Sequence, residues 1–285
     1  MNKFSLIIIC TLLSFSGVSI AQAESTLYYG RVSNFQNDQV IINYSHIGNP
    51  LNFLCDLATW TCESYGTSTP EIDEDTVKAG SDYLSSRVSK DLTKNRASFI
   101  TKSPTKRYVA YFTSAKLSEG ERRYSLWDTK KNKKYDANKK ITYWDLLSEE
   151  NKLFEFSPDE KRLVYINDRD GYPMLYYIDL ANLKGSVFSG KKLFEKVYTV
   201  NDFTFIDKDR MLFVANRDNP LRWGLYLYNF KAGSLKKVAD DVSYTYRMKK
   251  IGKYIVYTQT TANVSGPVFY DPSTGASKKL PTIKP

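Results

Sequence analysis

The sequence is poor in the residues that chemistry at a compact site demands. Its 285 residues contain one histidine and three cysteines, and no glycine-rich loop of the kind that cradles phosphate. Zinc takes four ligands, so this supply excludes a conventional zinc site. His46 sits in Ser45-His46-Ile47-Gly48-Asn49-Pro50, a stretch of turn residues, and reads as part of a surface hairpin. A Ser-His-Asp triad therefore lacks support, and no Gly-x-Ser-x-Gly nucleophile turn is present. Long apolar runs are missing after the first residues, whereas a membrane-spanning helix needs about 20 such residues in succession.

The one longer apolar run, Leu6 to Phe15, follows Lys3 and precedes Ala21-Gln22-Ala23. A basic start, a short apolar core and small residues before a cut define a secretory signal peptide, here residues 1–23. Cys10 leaves with it. Residues 24–285 are then expected to form a single domain, without a transmembrane anchor, in the periplasm or outside the cell. Export makes the other two cysteines legible. Cys55 and Cys62 flank a six-residue stretch that can fold back as a hairpin, so a structural disulfide between them is expected.

What the sequence has in quantity is tyrosine (22) and phenylalanine (15), set in apolar runs of only four to seven residues. Such runs are too short for core helices, and their aromatic and β-branched content favours strands. Phe154-Glu-Phe-Ser-Pro-Asp-Glu-Lys-Arg-Leu-Val-Tyr-Ile-Asn-Asp-Arg-Asp-Gly-Tyr-Pro-Met-Leu-Tyr-Tyr-Ile-Asp-Leu180 reads as three strands joined by turns, with a fourth ending near Lys192. Asp168-Arg-Asp170-Gly171 begins like a calcium loop, but Tyr172 replaces the next oxygen ligand, so a hairpin tip is expected.

The unit recurs. Its second strand, Arg162 to Ile166, has counterparts beginning at Gln39, Arg107, Arg210 and Lys253. Its third strand ends in a turn opener, Asp179, matched by Asp56, Asp128, Asn229 and Asp271. Side chains of this kind accept backbone N–H bonds and close hairpins, so they are read as structural. Five units in the same internal order predict an all-β, five-bladed β-propeller of four-stranded antiparallel blades. Its first and last blades are expected to pack directly on each other. The fourth strands carry Lys133-Lys134, Lys191-Lys192, Lys236-Lys237 and Lys278-Lys279. Spread this way, the lysines are read as guards of exposed outer edges and not as a nucleic-acid site. With a net charge of +10, they also leave an anionic polymer open as a ligand.

Two stretches interrupt the repeat, residues 67–94 and 141–152. The first is acidic at Glu71, Asp73, Glu74 and Asp75, and Val77, Leu84 and Val88 then suggest a short helix. The second contains Tyr143 and Trp144, candidates for a binding surface because variable loops on a rigid scaffold carry recognition.

Phe156-Ser-Pro-Asp-Glu-Lys-Arg-Leu-Val-Tyr-Ile and the following Met174-Leu-Tyr-Tyr-Ile-Asp-Leu180 resemble the repeat of TolB-type, WD40-like (PD40) β-propellers. The same repeat is similar to the propeller half of the dipeptidyl peptidase and prolyl oligopeptidase families. The resemblance implies a ring of blades, a secreted or periplasmic setting, frequent contact with other proteins and no catalytic residue in the propeller. The expected function is an exported, non-enzymatic scaffold, without cofactor, metal or nucleic acid, that binds a protein partner in the cell envelope. The alternatives are a carbohydrate-binding or glycoside-cleaving propeller, with paired carboxylates in its channel, and a detached propeller of a peptidase-like ancestor.

Overall fold

Alternating apolar runs separated by turns build five antiparallel sheets, and the sheets form a five-bladed β-propeller. The computed structural model describes residues 28–34, 39–46, 49–66, 86–113, 123–138, 152–167, 173–194, 199–243, 247–261 and 264–280. The first blade contains β1 (Tyr28–Asn34), β2 (Gln39–His46), β3 (Asn49–Asp56) and β4 (Thr61–Gly66). Helix α1 (Ser86–Lys94) precedes the second, with β5 (Ala97–Lys102), β6 (Tyr108–Thr113), β7 (Arg123–Asp128) and β8 (Lys133–Ala137). The third contains β9 (Phe154–Phe156), β10 (Arg162–Asn167) and β11 (Met174–Asp179), followed by β12 (Val187–Phe188) and β13 (Lys191–Lys192). The fourth is β14 (Val200–Phe205), β15 (Arg210–Asn219), β16 (Arg222–Asn229) and β17 (Ser234–Ala239). The fifth is β18 (Lys249–Ile251), β19 (Tyr254–Thr261), β20 (Val264–Asp271) and β21 (Ala276–Lys279).

Middle strands are buried on both faces, which is why their sequences are apolar without interruption. In β10, Leu163 and Tyr165 pack on Tyr108, Phe112 and Tyr124 of the second blade. Val164 and Ile166, pointing the other way, pack on Phe203, Met211 and Phe213 of the fourth. Leu212 and Val214 continue the pattern toward Ile255 and Tyr257 of the fifth blade. Val40, Ile42 and Phe53 of the first blade meet Val256 and Phe269 of the fifth, so the terminal blades do pack directly. The remaining face of the second blade, with Val109, Tyr111 and Trp127, is covered by Val88 and Leu92 of α1.

The turns follow their side-chain chemistry. Ser157 Oγ accepts from the Arg162 amide at 2.9 Å, and Ser103 Oγ accepts from Tyr108 at 3.0 Å. Glu160 and Lys106 take positive φ (53° and 62°) at the same place in these two turns. Four of the five turn openers also behave as read: Asp56, Asp128, Asn229 and Asp271 each accept a backbone N–H two or three residues on. Asp179 does not. The chain leaves it in a 3-10 turn, Leu180–Asn182, and the carboxylate instead lies 3.7 Å from Arg162.

That detour changes one blade. Strand β12 crosses to pair in parallel with β8, making the second blade five-stranded, and only then does β13 return to β11. The Asp136 and Asn138 amides donate to the Ser186 and Phe188 carbonyls at 2.9 Å, and the Gly190 amide donates to the Tyr165 hydroxyl at 3.1 Å. The reading of Lys133-Lys134 as a guard of the outermost edge is corrected in part: β12 covers β8 at Asp136 and Ala137, beyond the lysines, and Lys134 reaches Asp91 and Asp136, each at 3.5 Å. Of the helix expected from Val77 to Val88, residues 77–85 lie outside the described residues; α1 is described from Ser86 to Lys94, where Val88 and Leu92, four residues apart, provide the stripe that fits the second blade.

Candidate functional site

Antiparallel order fixes what each side of the ring can carry. Turns from first to second and from third to fourth strand lie on one side; second-to-third hairpin tips and blade-to-blade connections lie on the other. Both interruptions of the repeat are blade-to-blade connections, one between β4 and β5 and one between β8 and β9, so both start and end on the second side. The β15–β16 hairpin rises on that side too, with Leu221 88% exposed at its tip. Its turn is fixed by the Leu221 amide donating to Asn219 Oδ1 at 2.8 Å and by Asn216 Nδ2 donating to the Pro220 carbonyl at 3.0 Å.

Tyr143 and Trp144 lie outside the described residues, as do Asp168 to Gly171. His46 ends β2 opposite Asn49, consistent with a hairpin. Cys55 and Cys62 form the disulfide, across β3 and β4, with their Cα atoms 4.1 Å apart. Among the described residues no helix is long and apolar enough to cross a membrane, and no group of three or more His, Cys, Asp or Glu could hold a metal ion.

On the innermost strands the structure brings together a charged cluster that sequence reading missed. Lys152 Nζ donates to Glu155 Oε2 and to the Phe203 carbonyl, both at 3.2 Å. Thr204 Oγ1 donates to Glu155 Oε1 at 3.1 Å. Asp202 accepts from its neighbour's amide, Phe203, at 2.8 Å and from the Met248 amide at 2.6 Å. Burial pushes the Asp202 carboxyl up, against the pull of Lys152, the two amides and Arg247. These residues tie β9 to β14 and β14 to the start of β18, joining strands that share no sheet. Their only sequence signal is polarity inside apolar runs, as in Val200-Asn-Asp-Phe203.

A second polar cluster anchors α1. Asp91 accepts from the Tyr111 hydroxyl and, at 3.0 Å, from Trp127 Nε1. Partial burial pushes its carboxyl up, but these two donors and Lys134 hold it below the usual value. Tyr111 is raised by burial and by the Asp91 carboxylate that it bonds. Arginines that begin second strands form a third set of ties: Arg162 Nη1 reaches the Lys208 carbonyl at 2.8 Å, and Arg210 Nη1 the Pro272 carbonyl at 3.0 Å. The Thr105 amide and hydroxyl reach Glu160 at 2.5 and 2.6 Å.

Residues 118–265 match the family model described as the dipeptidyl peptidase IV (DPP IV) N-terminal region, just over half of the chain. The chain belongs to this family. The matched residues of the DPP IV N-terminal region family begin in the second blade and end in the fifth. No curated protein matches the sequence. Among solved structures, TolB from Acinetobacter baumannii is similar at 15% identity and a TM-score of 0.44, covering 87% of this chain and 52% of that one. A putative TolB from Agrobacterium tumefaciens matches at 14% identity and 0.40, covering 89% and 80%. A puromycin-hydrolyzing peptidase of Mycobacterium tuberculosis matches at 11% identity and 0.43, covering 90% and 38%. The chain thus spans about half the length of the Acinetobacter structure and less of the peptidase.

Proposed function

We propose that this protein is an exported, non-enzymatic propeller scaffold that binds a protein partner in the cell envelope. The observation that carries the reading is the shared side of the ring: both inserted connections and the projecting Leu221 hairpin belong to it. Variable segments held on a rigid frame are where recognition concentrates. The leader at residues 1–23 and the Cys55–Cys62 bond support a periplasmic or secreted location, since disulfides persist in oxidising compartments. Family membership supports descent from the propeller of a peptidase-like protein as an alternative origin.

Deletion tests the reading if it spares α1, whose loss would uncover Val109, Tyr111 and Trp127. Shortening residues 68–84 or 140–150 should leave the thermal transition in place and weaken photo-crosslinking to one envelope protein. Crosslinking undiminished in both deletions would refute it. A second reading, glycoside cleavage, draws on Glu155 and the raised carboxyl of Asp202 on adjacent innermost strands. Turnover of oligosaccharides that disappears in both Glu155→Gln and Asp202→Asn would replace the scaffold reading with that one.

A further inference from the structure

The outer strand of the first blade differs from the outer strands of the other four. Lys191-Lys192, Lys236-Lys237 and Lys278-Lys279 stand on β13, β17 and β21, and the second blade is closed by β12, only two residues long. Lysine and shortness both discourage addition of a further strand. Strand β4 has neither protection: it runs for six residues, Thr61-Cys-Glu-Ser-Tyr-Gly66, without lysine or proline. Tyr65, one of its side chains, is 39% exposed.

The backbone of β4 is aimed outward at defined positions. Cys55 and Cys62 face each other with Cα atoms 4.1 Å apart, and Phe53 faces Ser64 two residues along. Directly opposed residues this close are the non-hydrogen-bonded pairs of an antiparallel ladder, whose hydrogen-bonded pairs stand about 5.5 Å apart. The N–H and C=O groups of Cys62 and Ser64 therefore point away from β3. They have no partner among the described residues. The ladder has a bulge at Tyr65, between Ser64 and Gly66, so the regular part of this edge is Thr61 to Ser64; there the disulfide fixes the register and ties the strand to its own sheet, with the outward groups of Cys62 and Ser64 in line for another strand.

We propose that β4 is a docking edge for an extended segment of a partner protein, which adds to the first blade as a fifth strand. Main-chain bonds to Cys62 and Ser64 supply the attachment, and Glu63, between them on the regular part of the strand, selects a segment with a basic residue opposite it. A second copy of this chain fits poorly. Each copy carries a net charge of +10, and antiparallel pairing of two β4 strands would bring the two Glu63 carboxylates together diagonally on one face. The proposal concerns the outer rim and is independent of which side of the ring holds the partner's bulk.

The probe is a synthetic ten-residue peptide of alternating threonine and valine with one central lysine, followed by fluorescence anisotropy on the full exported chain. Ser64→Pro removes one outward donor and no bond to β3, and Ser64→Lys restores the edge guard that the other blades carry. Each should weaken binding at least tenfold, as should N-methylation of alternate peptide residues, with thermal unfolding unchanged. Hydrogen exchange at Cys62 and Ser64 should slow when peptide is bound. Absence of binding to the unmodified chain, undiminished binding to both Ser64 variants, or protection at another strand would overturn the proposal. A concentration-dependent dimer of the unmodified chain that Ser64→Lys abolishes would overturn it in favour of self-pairing.

Discussion

The Lys278 ammonium lies 4.0 Å from the centre of the Trp60 indole, joining the outer strand of the last blade to the disulfide-bonded hairpin of the first. Trp60 also meets the rings of Tyr254 and Phe269 edge-on, with centroids 5.7 and 5.5 Å away. Ring closure thus uses an aromatic seam with Lys278 over Trp60 and Lys253 over Tyr254. Trp60→Ala should lower stability by about 2–4 kcal/mol, because it removes the apolar body of the seam. Lys278→Ala should cost no more than about 1 kcal/mol, as exposed cation–π contacts do. Urea unfolding of the two variants checks the ratio; equal costs would mean that the cation, not the packing, holds the closure.

The crossing strand β12 depends on Gly190. A Cβ built there would stand 2.2 Å from the Tyr165 hydroxyl oxygen, and the ring carbons behind it are under 3.0 Å, so the tyrosine would have to move. Gly190→Ala is expected to cost about 1–3 kcal/mol. The loss should be local first, with faster hydrogen exchange at the Asp136 and Asn138 amides, which donate to the crossing segment. Unchanged exchange at those two amides would show that Tyr165 yields without freeing β12.

Asp91 makes the seating of α1 sensitive to acid. Its folded-state value lies below the ordinary carboxylate value, so its contribution is complete above about pH 5 and is lost as pH falls through the folded value. Asp91→Asn should lower stability at pH 7 and reduce the further loss on acidification below about pH 4. The readout is tryptophan fluorescence from Trp127, which donates to Asp91. An acid profile identical in the two proteins would place the acid-sensitive groups elsewhere.

Replacement of Cys55 and Cys62 by alanine opens a short loop and should cost about 2–3 kcal/mol on chain-entropy grounds. The effect should be strongest in the first blade and at its contact with Val256 and Phe269, with the other four blades retained. Proteolysis that begins within residues 49–66 after the substitution, while the remaining blades persist, is the expected pattern. Loss of the whole ring in one step would show that the first blade is required for the others.

Much of this architecture was legible because its causes are local. The short uninterrupted apolar run from Leu163 to Ile166, the Ser-Pro turns and the Asp or Asn openers each specify geometry over a few residues, and recurrence of the unit then gives the number of blades. The disulfide was legible for the same reason: Cys55 and Cys62 belong to neighbouring strands of one hairpin. Polar contacts between blades were not. Arg162 with Lys208, Arg210 with Pro272 and Thr105 with Glu160 join residues 46, 62 and 55 positions apart, and only the stacking of twisted sheets selects those partners. Asp202 illustrates the limit. In sequence it is one polar residue in a strand, yet the tertiary structure buries it against the Met248 amide and within the field of Lys152. The crossing of β12 has the same origin: local chemistry ends β11 at Asp179, but only a second blade standing alongside offers Asp136 and Asn138 as partners for the chain that follows.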